Sequence, residues 1–598
     1  MRYYRIPSFT GINNTAASGE GDRGTLRVCE NALPMAGNLR SGPIWAPIFA
    51  DLKTLLQARI AAATTNKLIV AKARDTSGHQ LAVVVAKTSP TVYSVNALAF
   101  LGNPGTTDER TSGVTAATGY EEFDFTPGTR PFYASRVGGS VLLGDGSNTN
   151  RRIRFVSGAL PSVSTLNASS NYWDKTKAAF LACSTFVVGP DKCVYASGNE
   201  ANPLRVYVAE PPDAANQFKE GVFDPAYLSV VDLMMTEASR ITALGVFRTY
   251  VVVHTDAGIE LLYRPLGGQA STGFRVEQTS SPTFKAAPNP ACVGDSSGVF
   301  PFYVGANGQL FKDESARAGT PGAPTEQLNE IATWTADVKW AGGLGRDTKR
   351  AFATWDAQTA TMLAWLPHRA MTDITKGYPM WLFDKPSYQY AGPFHTPYFM
   401  AATKAGRSSQ VIGIDSSLGF HVCDLESLSE QTALGTVATV TDPGTASPRV
   451  FVGTNEVFFK SPAATNGEFI RHTTAFATEP DTVSSATNMA GKLSLYGNLS
   501  VIETAYDNLG TQEVHKNFLE VMLTFQKNSF GYFGVWAETE TGAMSGRWVG
   551  AIHGKEQHKV FVNVRGKSVR LKILVVTDPR YPWVLRDASL GYLLGNTL

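Results

Sequence analysis

Between Lys67 and Asp424 the chain is a succession of short apolar runs, among them "KLIVAKA", "HQLAVVVAK", "TVYSVNALAF", "SVLLGDGSNTNRRIRFV", "TFVVGPDKCVYAS" and "RVYVAE", punctuated by Gly, Asn, Asp or Pro. Such runs are short for core-packing helices and of the right length for strands, so this part of the chain has to bury itself by stacking sheets. Within Arg240 to Arg264, "TYVVVH" is almost wholly apolar, as a strand covered on both faces is, and "DAG" supplies a turn before "IELLY". The same order of apolar strand, turn and second strand returns in "VFPFYVGANGQLFKD", "TMLAWLPHRAMTDITKGYPMWLFDK" and "VIGIDSSLGFHVCD", ending near Tyr263, Phe311, Phe383 and Val422. Unequal spacing of this kind suits four-stranded blades with loop insertions, a degenerate β-propeller, better than a solenoid.

Two segments carry helical spacing instead. "APIFADLKTLLQARIAAA" places Ile48, Phe49, Leu52, Leu55, Leu56 and Ile60 on one face after Pro47, and "PTEQLNEIATW" places Leu328, Ile331 and Trp334 on a stripe capped by Thr325. After Asp424 a polar, Gly- and Pro-bearing connector precedes new strands in "FLEVMLTFQ", "YFGVWAETE", "KVFVNVRGKSVRLKILVV" and "LGYLLG", the pattern of an antiparallel sandwich with "VRGKS" as a hairpin turn. The expected architecture is all-β with few short helices: an arm and helix over 1–66, a β-propeller over 67–424, a connector over 425–448 and a C-terminal β-sandwich over 449–598.

Composition restricts the function classes. Lys+Arg 53 against Asp+Glu 51 gives a net charge of +2, too little for a field that grips nucleic acid or an anionic membrane. Cys29, Cys183, Cys193, Cys292 and Cys423 are odd in number, scattered and never in a CxxC pair, which speaks for reduced thiols and against a disulfide framework or a zinc site. The opening "MRYYRIPSFTGINN" has no apolar signal core and no 18-residue apolar stretch occurs, so neither export by a signal nor membrane insertion is expected.

No motif carries chemistry convincingly. Gly294-Asp295-Ser296-Ser297-Gly298 matches G-x-S-x-G, but "VFPFYVG" comes next where a nucleophile elbow needs a helix, so a glycine-rich turn is expected. Trp173-Asp174, Trp355-Asp356 and Gly78-His79 do not recur at the spacing of WD repeats. His553 and His558 lack a third ligand and read as a solvated loop, whereas His254 lies in an apolar strand and reads as core. Asp145, Asp256, Asp295 and Asp415 fit Asx turns. Arg151, Arg152 and Arg154 form the densest basic spot, and strand alternation puts Arg152 and Arg154 on one face, where interstrand pairing or a subunit contact is as good a reading as phosphate contact. Catalytic, cofactor-binding and metal-ligating residues are therefore none.

Several segments together resemble the tail nozzle (tail stabilisation or tail tubular) proteins of short-tailed bacteriophages. "PSFTGINN" with "CENALPMAGNLRSGPIW" after it is similar to that family's opening, and "ITALGVFRTYVVVHTDAGIELLYR" to its propeller unit. "EQLNEIATWTADVK", "ATWDAQTATMLAWLPHRAMTD" and "YPMWLFD" are similar to the family's helix, strand, Leu-Pro turn and Trp-bearing strand, with Leu366, Pro367 and Trp381 in structural positions. The resemblance implies a virion structural protein with no catalytic residues or cofactors. It further implies six copies ringing the tail axis below the portal and adaptor ring, contacting tail fibres or tailspikes and passing double-stranded DNA. Near-zero net charge suits a conduit, because each neutralised phosphate adds holding free energy. A carbohydrate-binding or carbohydrate-active propeller is the competing class, motivated by Tyr388, Tyr390, Phe394 and Tyr398.

Overall fold

The computed structural model describes residues 1–12 and 24–48 apart from 7 and 44, strands and turns between 53 and 425, strands between 449 and 496, and 498–510, 514–577 and 582–595 apart from 554. Among these the chain is almost entirely antiparallel strand. Blade 1 begins with Ile69–Arg74, blade 2 with Tyr133–Val137, blade 3 with Thr185–Val188, blade 4 with Ile241–Phe247, blade 5 with Val293–Gly294 and blade 6 with Phe352–Asp356. Each opening strand leads into a meander of strands moving outward.

The 17-residue strand Gln389–Ala405 does two jobs. Its first half is the outer strand of blade 6, paired with Tyr378–Asp384, and from Phe399 onward it is the inner strand of a seventh blade, continued by Gln410–Asp415 and Phe420–Asp424. Each blade's inner strand packs against the next, and Gln389–Ala405 packs against Ile69–Arg74, so the described blades close a ring. Closure removes the exposed sheet edges that an open stack would leave at its two ends.

The outermost strand of blade 7 is Ala46–Ile48, pairing Phe420 with Ile48, His421 with Pro47 and Val422 with Ala46. The chain thus zips its ring shut with a segment that precedes blade 1. This corrects the expected helix start: Pro47 and Ile48 are in a strand, while among the described residues of this segment Lys53, Thr54 and Gln57 are helical, and Phe49, Leu52, Leu55, Leu56 and Ile60 lie outside the described residues. Proline is tolerated there because an edge strand does not need its N–H for a further neighbour. The second expected helix is likewise a strand: Asn329–Ala332, which includes Ile331, pairs with Leu310–Lys312, so demand for a fourth blade strand overrides local helical spacing. Thr325, Leu328 and Trp334 lie outside the described residues. Conversely, Lys175–Leu181 forms a helix whose Phe180 and Leu181 plug the space between blades 2 and 3 beside Leu142, Phe186 and Tyr207.

The platform is a two-sheet sandwich. One sheet runs Ala32–Met35, Asn38–Ser41, Val584–Leu594, Lys516–Phe525, Gln557–Gly566, with Arg2–Ile6 also on Val584–Leu594; the other runs Leu26–Glu30, Asn498–Thr504, Val569–Thr577, Tyr532–Thr539, Met544–Ala551. Phe518, Val521, Leu523 and Phe525 of the first sheet share one core with Phe533, Val535, Leu571 and Ile573 of the second. "VRGKS" is not a hairpin turn: Gln557–Gly566 and Val569–Thr577 belong to opposite sheets, so the chain crosses the core there. Their sequences explain the separation, since Gln557–Gly566 alternates exposed and buried while Val569–Thr577 is buried throughout and needs a neighbour on each side. The strands from Arg449 to Tyr496 form a separate five-stranded sheet.

Propeller and platform are joined by strand continuity. Cys29 pairs with Gly392, which links Leu26–Glu30 of the platform to Gln389–Ala405 of the ring. Gly392 has φ +138, and a Cβ there would lie 2.8 Å from the Trp381 ring, so the backbone at this junction calls for glycine. Beside it Asn31 donates from Nδ2 to the Leu499 carbonyl (2.7 Å) and accepts from the His395 N–H at Oδ1 (2.6 Å), both buried. Asn31→Ala is expected to cost roughly 2–4 kcal/mol by orphaning two buried backbone groups; thermal unfolding and amide exchange at His395 check it.

Candidate functional site: the outer face of the platform

The sequence-flagged polar residues go into local structure. Asp145 accepts from the N–H of Ser147 and Asn148, Asp415 from those of Ser417 and Gly419, as Asx turns require. Asp256 instead reaches back to the N–H of Ser239 and Arg240, fastening the entry to blade 4. Asp356 caps its turn through Thr359, while Trp355 packs on the core. Asp295, Ser296, Trp173, Asp174, Gly78 and His79 lie outside the described residues. Arg151 donates to Thr165 Oγ1 (3.0 Å) and Arg152 to Ser140 Oγ (3.1 Å), each on a neighbouring strand, so for these two interstrand pairing is the reading realised. His254 is fully buried, and burial pushes its pKa down to about 3. His558 corrects the solvated-loop expectation: it is buried in Gln557–Gly566 with Nε2 2.9 Å from the Lys555 carbonyl, while His553 stacks on Phe530. Cys29, Cys183, Cys193 and Cys423 are buried and in no disulfide. Among the described residues no three His, Cys, Asp or Glu side chains come together as a metal site, and no helix is long and apolar enough to cross a membrane.

Two arrangements were not foreseen from the sequence. The first is a buried charge ladder on the second platform sheet. Lys572 Nζ lies 3.0 Å from Glu503 Oε1, and Arg570 bridges Glu503 (3.7 Å) and Glu538 (2.6 Å) beneath the ring of Tyr506. Burial alone would push the Glu503 carboxyl up, but Lys572 and Arg570 outweigh it and hold the group below the ordinary glutamate value.

The second is the outward face of the first sheet, where register aligns side chains into rows. Tyr3 pairs with Gly591, Gly591 with Glu520 and Glu520 with Phe561; the next row is Arg5, Ser589, Met522 and Lys559. On the other side run Leu593, Asn517 and Arg565. Tyr3, Phe561 and Leu593 are 57%, 68% and 42% exposed, large apolar groups on a face that the described residues leave uncovered. The Tyr3 hydroxyl donates to Glu520 (2.5 Å), Lys559 forms an ion pair with the same carboxylate, and Arg5 pairs with Asp587 at 2.9 Å. Hydrogen bonding to Glu520 raises the pKa of Tyr3 and of Lys559. The two carboxylates are covered by their cations, so the outermost groups are rings and positive charge. Across the described platform nine Lys and Arg are exposed against two carboxylates, Glu540 and Glu556. A chain of net charge +2 therefore presents a locally basic platform: its described residues hold 14 Lys and Arg against 8 Asp and Glu, and most of those carboxylates are turned inward.

No family model matches the chain, and no curated protein does. Among solved structures it is similar to a catalytically inactive virginiamycin B lyase from Staphylococcus aureus with quinupristin, at TM-score 0.33 and 8% identity over 61% of this chain and 97% of that one. A structure of the mitotic checkpoint complex gives TM-score 0.33 and 9% identity over 61% of this chain and 91% of that one. The β-propeller assignment rests on the strand pairing and ring closure described above.

Proposed function

We propose that this protein is a non-catalytic virion component, the nozzle of a short phage tail, which assembles in the host cytoplasm as a ring below the portal and adaptor and gives genomic DNA its exit channel. The observation that carries the reading is mechanical: one strand, Gln389–Ala405, is shared by two blades and paired to the platform through Gly392, so ring and platform form a continuous wall rather than two tethered domains. The turn aspartates and strand arginines described above hold the wall together, in keeping with a geometric role. The sequence resemblance supplies the assembly, six copies about an axis with heterologous contacts, and docking of tail fibres or tailspikes. Aromatics that would favour a carbohydrate-binding propeller include Phe394 and Tyr398, both buried in the core.

Electron microscopy and native mass measurement of the purified full chain test this. A sixfold ring with an axial bore wider than duplex DNA is expected; a monomer that turns over a polysaccharide overturns the proposal.

A further inference from the structure

We propose that the outer face of the Arg2–Ile6, Val584–Leu594, Lys516–Phe525 and Gln557–Gly566 sheet docks a protein surface that is apolar and aromatic at its centre and rich in carboxylates at its rim. The inference rests on this face alone and holds whether or not the chain is a nozzle. Tyr3 and Phe561 stand at the two ends of one four-strand row, about 14 Å apart at ordinary strand spacing. Between them Gly591 keeps the surface low: a Cβ there would lie 2.6 Å from both Glu520 Cγ and Met1 Cε. The rings are pre-positioned, Tyr3 by its hydroxyl on Glu520 and Phe561 by the Lys559 ammonium 5.3 Å from its centroid. Rigid aromatic anchors set among partly neutralised charges lose little conformational entropy on docking and are the residues that dominate protein–protein contacts.

Charge decides the partner. Arg5 and Lys559 are exposed above buried Asp587 and Glu520, and Arg565 adds a further exposed cation, so the rim attracts carboxylates. A second copy of the same face is disfavoured, because a two-fold contact would press these cations against one another. Duplex DNA is a poorer fit, because exposed Phe561 and Leu593 offer a phosphate backbone nothing. An anionic bilayer would have to take up the Arg5–Asp587 and Lys559–Glu520 ion pairs beside its acyl chains, a costly desolvation of their exposed cations.

The probe for the test is the random copolymer of glutamate and tyrosine, compared with polyglutamate, a duplex of about 24 base pairs, long enough to span the face at the ordinary rise per base pair, and phosphatidylglycerol vesicles, each titrated against the full-length protein. Expected are binding of the Glu–Tyr copolymer about tenfold tighter than of polyglutamate, and loss of that preference in Phe561→Asp and Tyr3→Asp. Both side chains are exposed, so an unchanged melting temperature certifies the fold, and Phe561→Tyr should retain the preference. Equal binding of both polypeptides, insensitivity to Phe561→Asp, tighter binding of duplex or vesicles through Phe561, or self-association abolished by Phe561→Asp in place of copolymer binding would each overturn the proposal.

Discussion

Glu503→Gln is expected to destabilise the platform by about 3–5 kcal/mol, because removing one partner of a buried ion pair leaves the opposite charge desolvated and uncompensated. In this protein two cations, Lys572 and Arg570, face the Glu503 carboxylate from the adjacent strand, and the side chains of all three are nearly buried. Glu503→Gln combined with Lys572→Met should recover most of the loss, since the neutral pair leaves no lysine charge buried without a carboxylate while Arg570 keeps Glu538. Chemical denaturation, with amide exchange in Val569–Thr577 as the local readout, distinguishes the two variants. The ladder also sets a pH dependence. Its folded-state pKa lies below the ordinary glutamate value of 4.5, so the unfolded chain binds the proton more tightly. The stabilisation is complete above about pH 5 and is lost as pH falls through roughly 4.5 toward the folded value. The wild type should therefore lose melting temperature with acid more steeply than Glu503→Gln, and parallel acid curves for the two proteins would show that Glu503 does not set the dependence.

Trp365→Ala is the second large expected effect, about 3–5 kcal/mol for emptying a fully buried aromatic site. Trp365 stacks on Phe352 with centroids 4.9 Å apart and meets the edge of Phe399 at 6.0 Å, so it sits where blade 6 gives way to blade 7. Amide exchange should accelerate along Phe399–Ala405 and Gln410–Asp415 more than in Lys516–Phe525. Uniform acceleration everywhere would mean that ring and platform unfold as one cooperative unit. Trp365→Phe, which keeps a stacking ring and leaves a smaller cavity, should cost less than half as much.

Legibility of the sequence tracked the range of the interactions. Period-two and fully apolar runs announced strands such as Tyr250–Thr255 and Val569–Thr577, because alternation is a local consequence of which faces are covered. The turn role of Asp145 and Asp415 was legible for the same reason, since their partners lie two to four residues away. Only the start of "APIFADLKTLLQ" misled, because helical spacing says nothing about a strand far downstream, Phe420–Asp424, that needs an outer neighbour; Lys53, Thr54 and Gln57 are helical. "EQLNEIATW" misled likewise, and "VRGKS" looks like a hairpin in sequence because a hairpin turn and a crossing between sheets use the same residues.

The functional face was beyond sequence reasoning for a related cause. Tyr3, Gly591, Glu520 and Phe561 lie at opposite ends of the chain and become one row only when four strands take their register. Sequence alone determined that the chain is built of sheets, that its thiols are scattered and that its total charge is nearly balanced. Tertiary structure decided how blades close on a strand borrowed from the N-terminal arm, and how platform carboxylates such as Glu520 and Asp587 come to lie beneath exposed cations beside Tyr3 and Phe561. Alternation and turn chemistry act within a few residues, whereas closure and charge segregation depend on which distant strands become neighbours, and no local pattern records that choice.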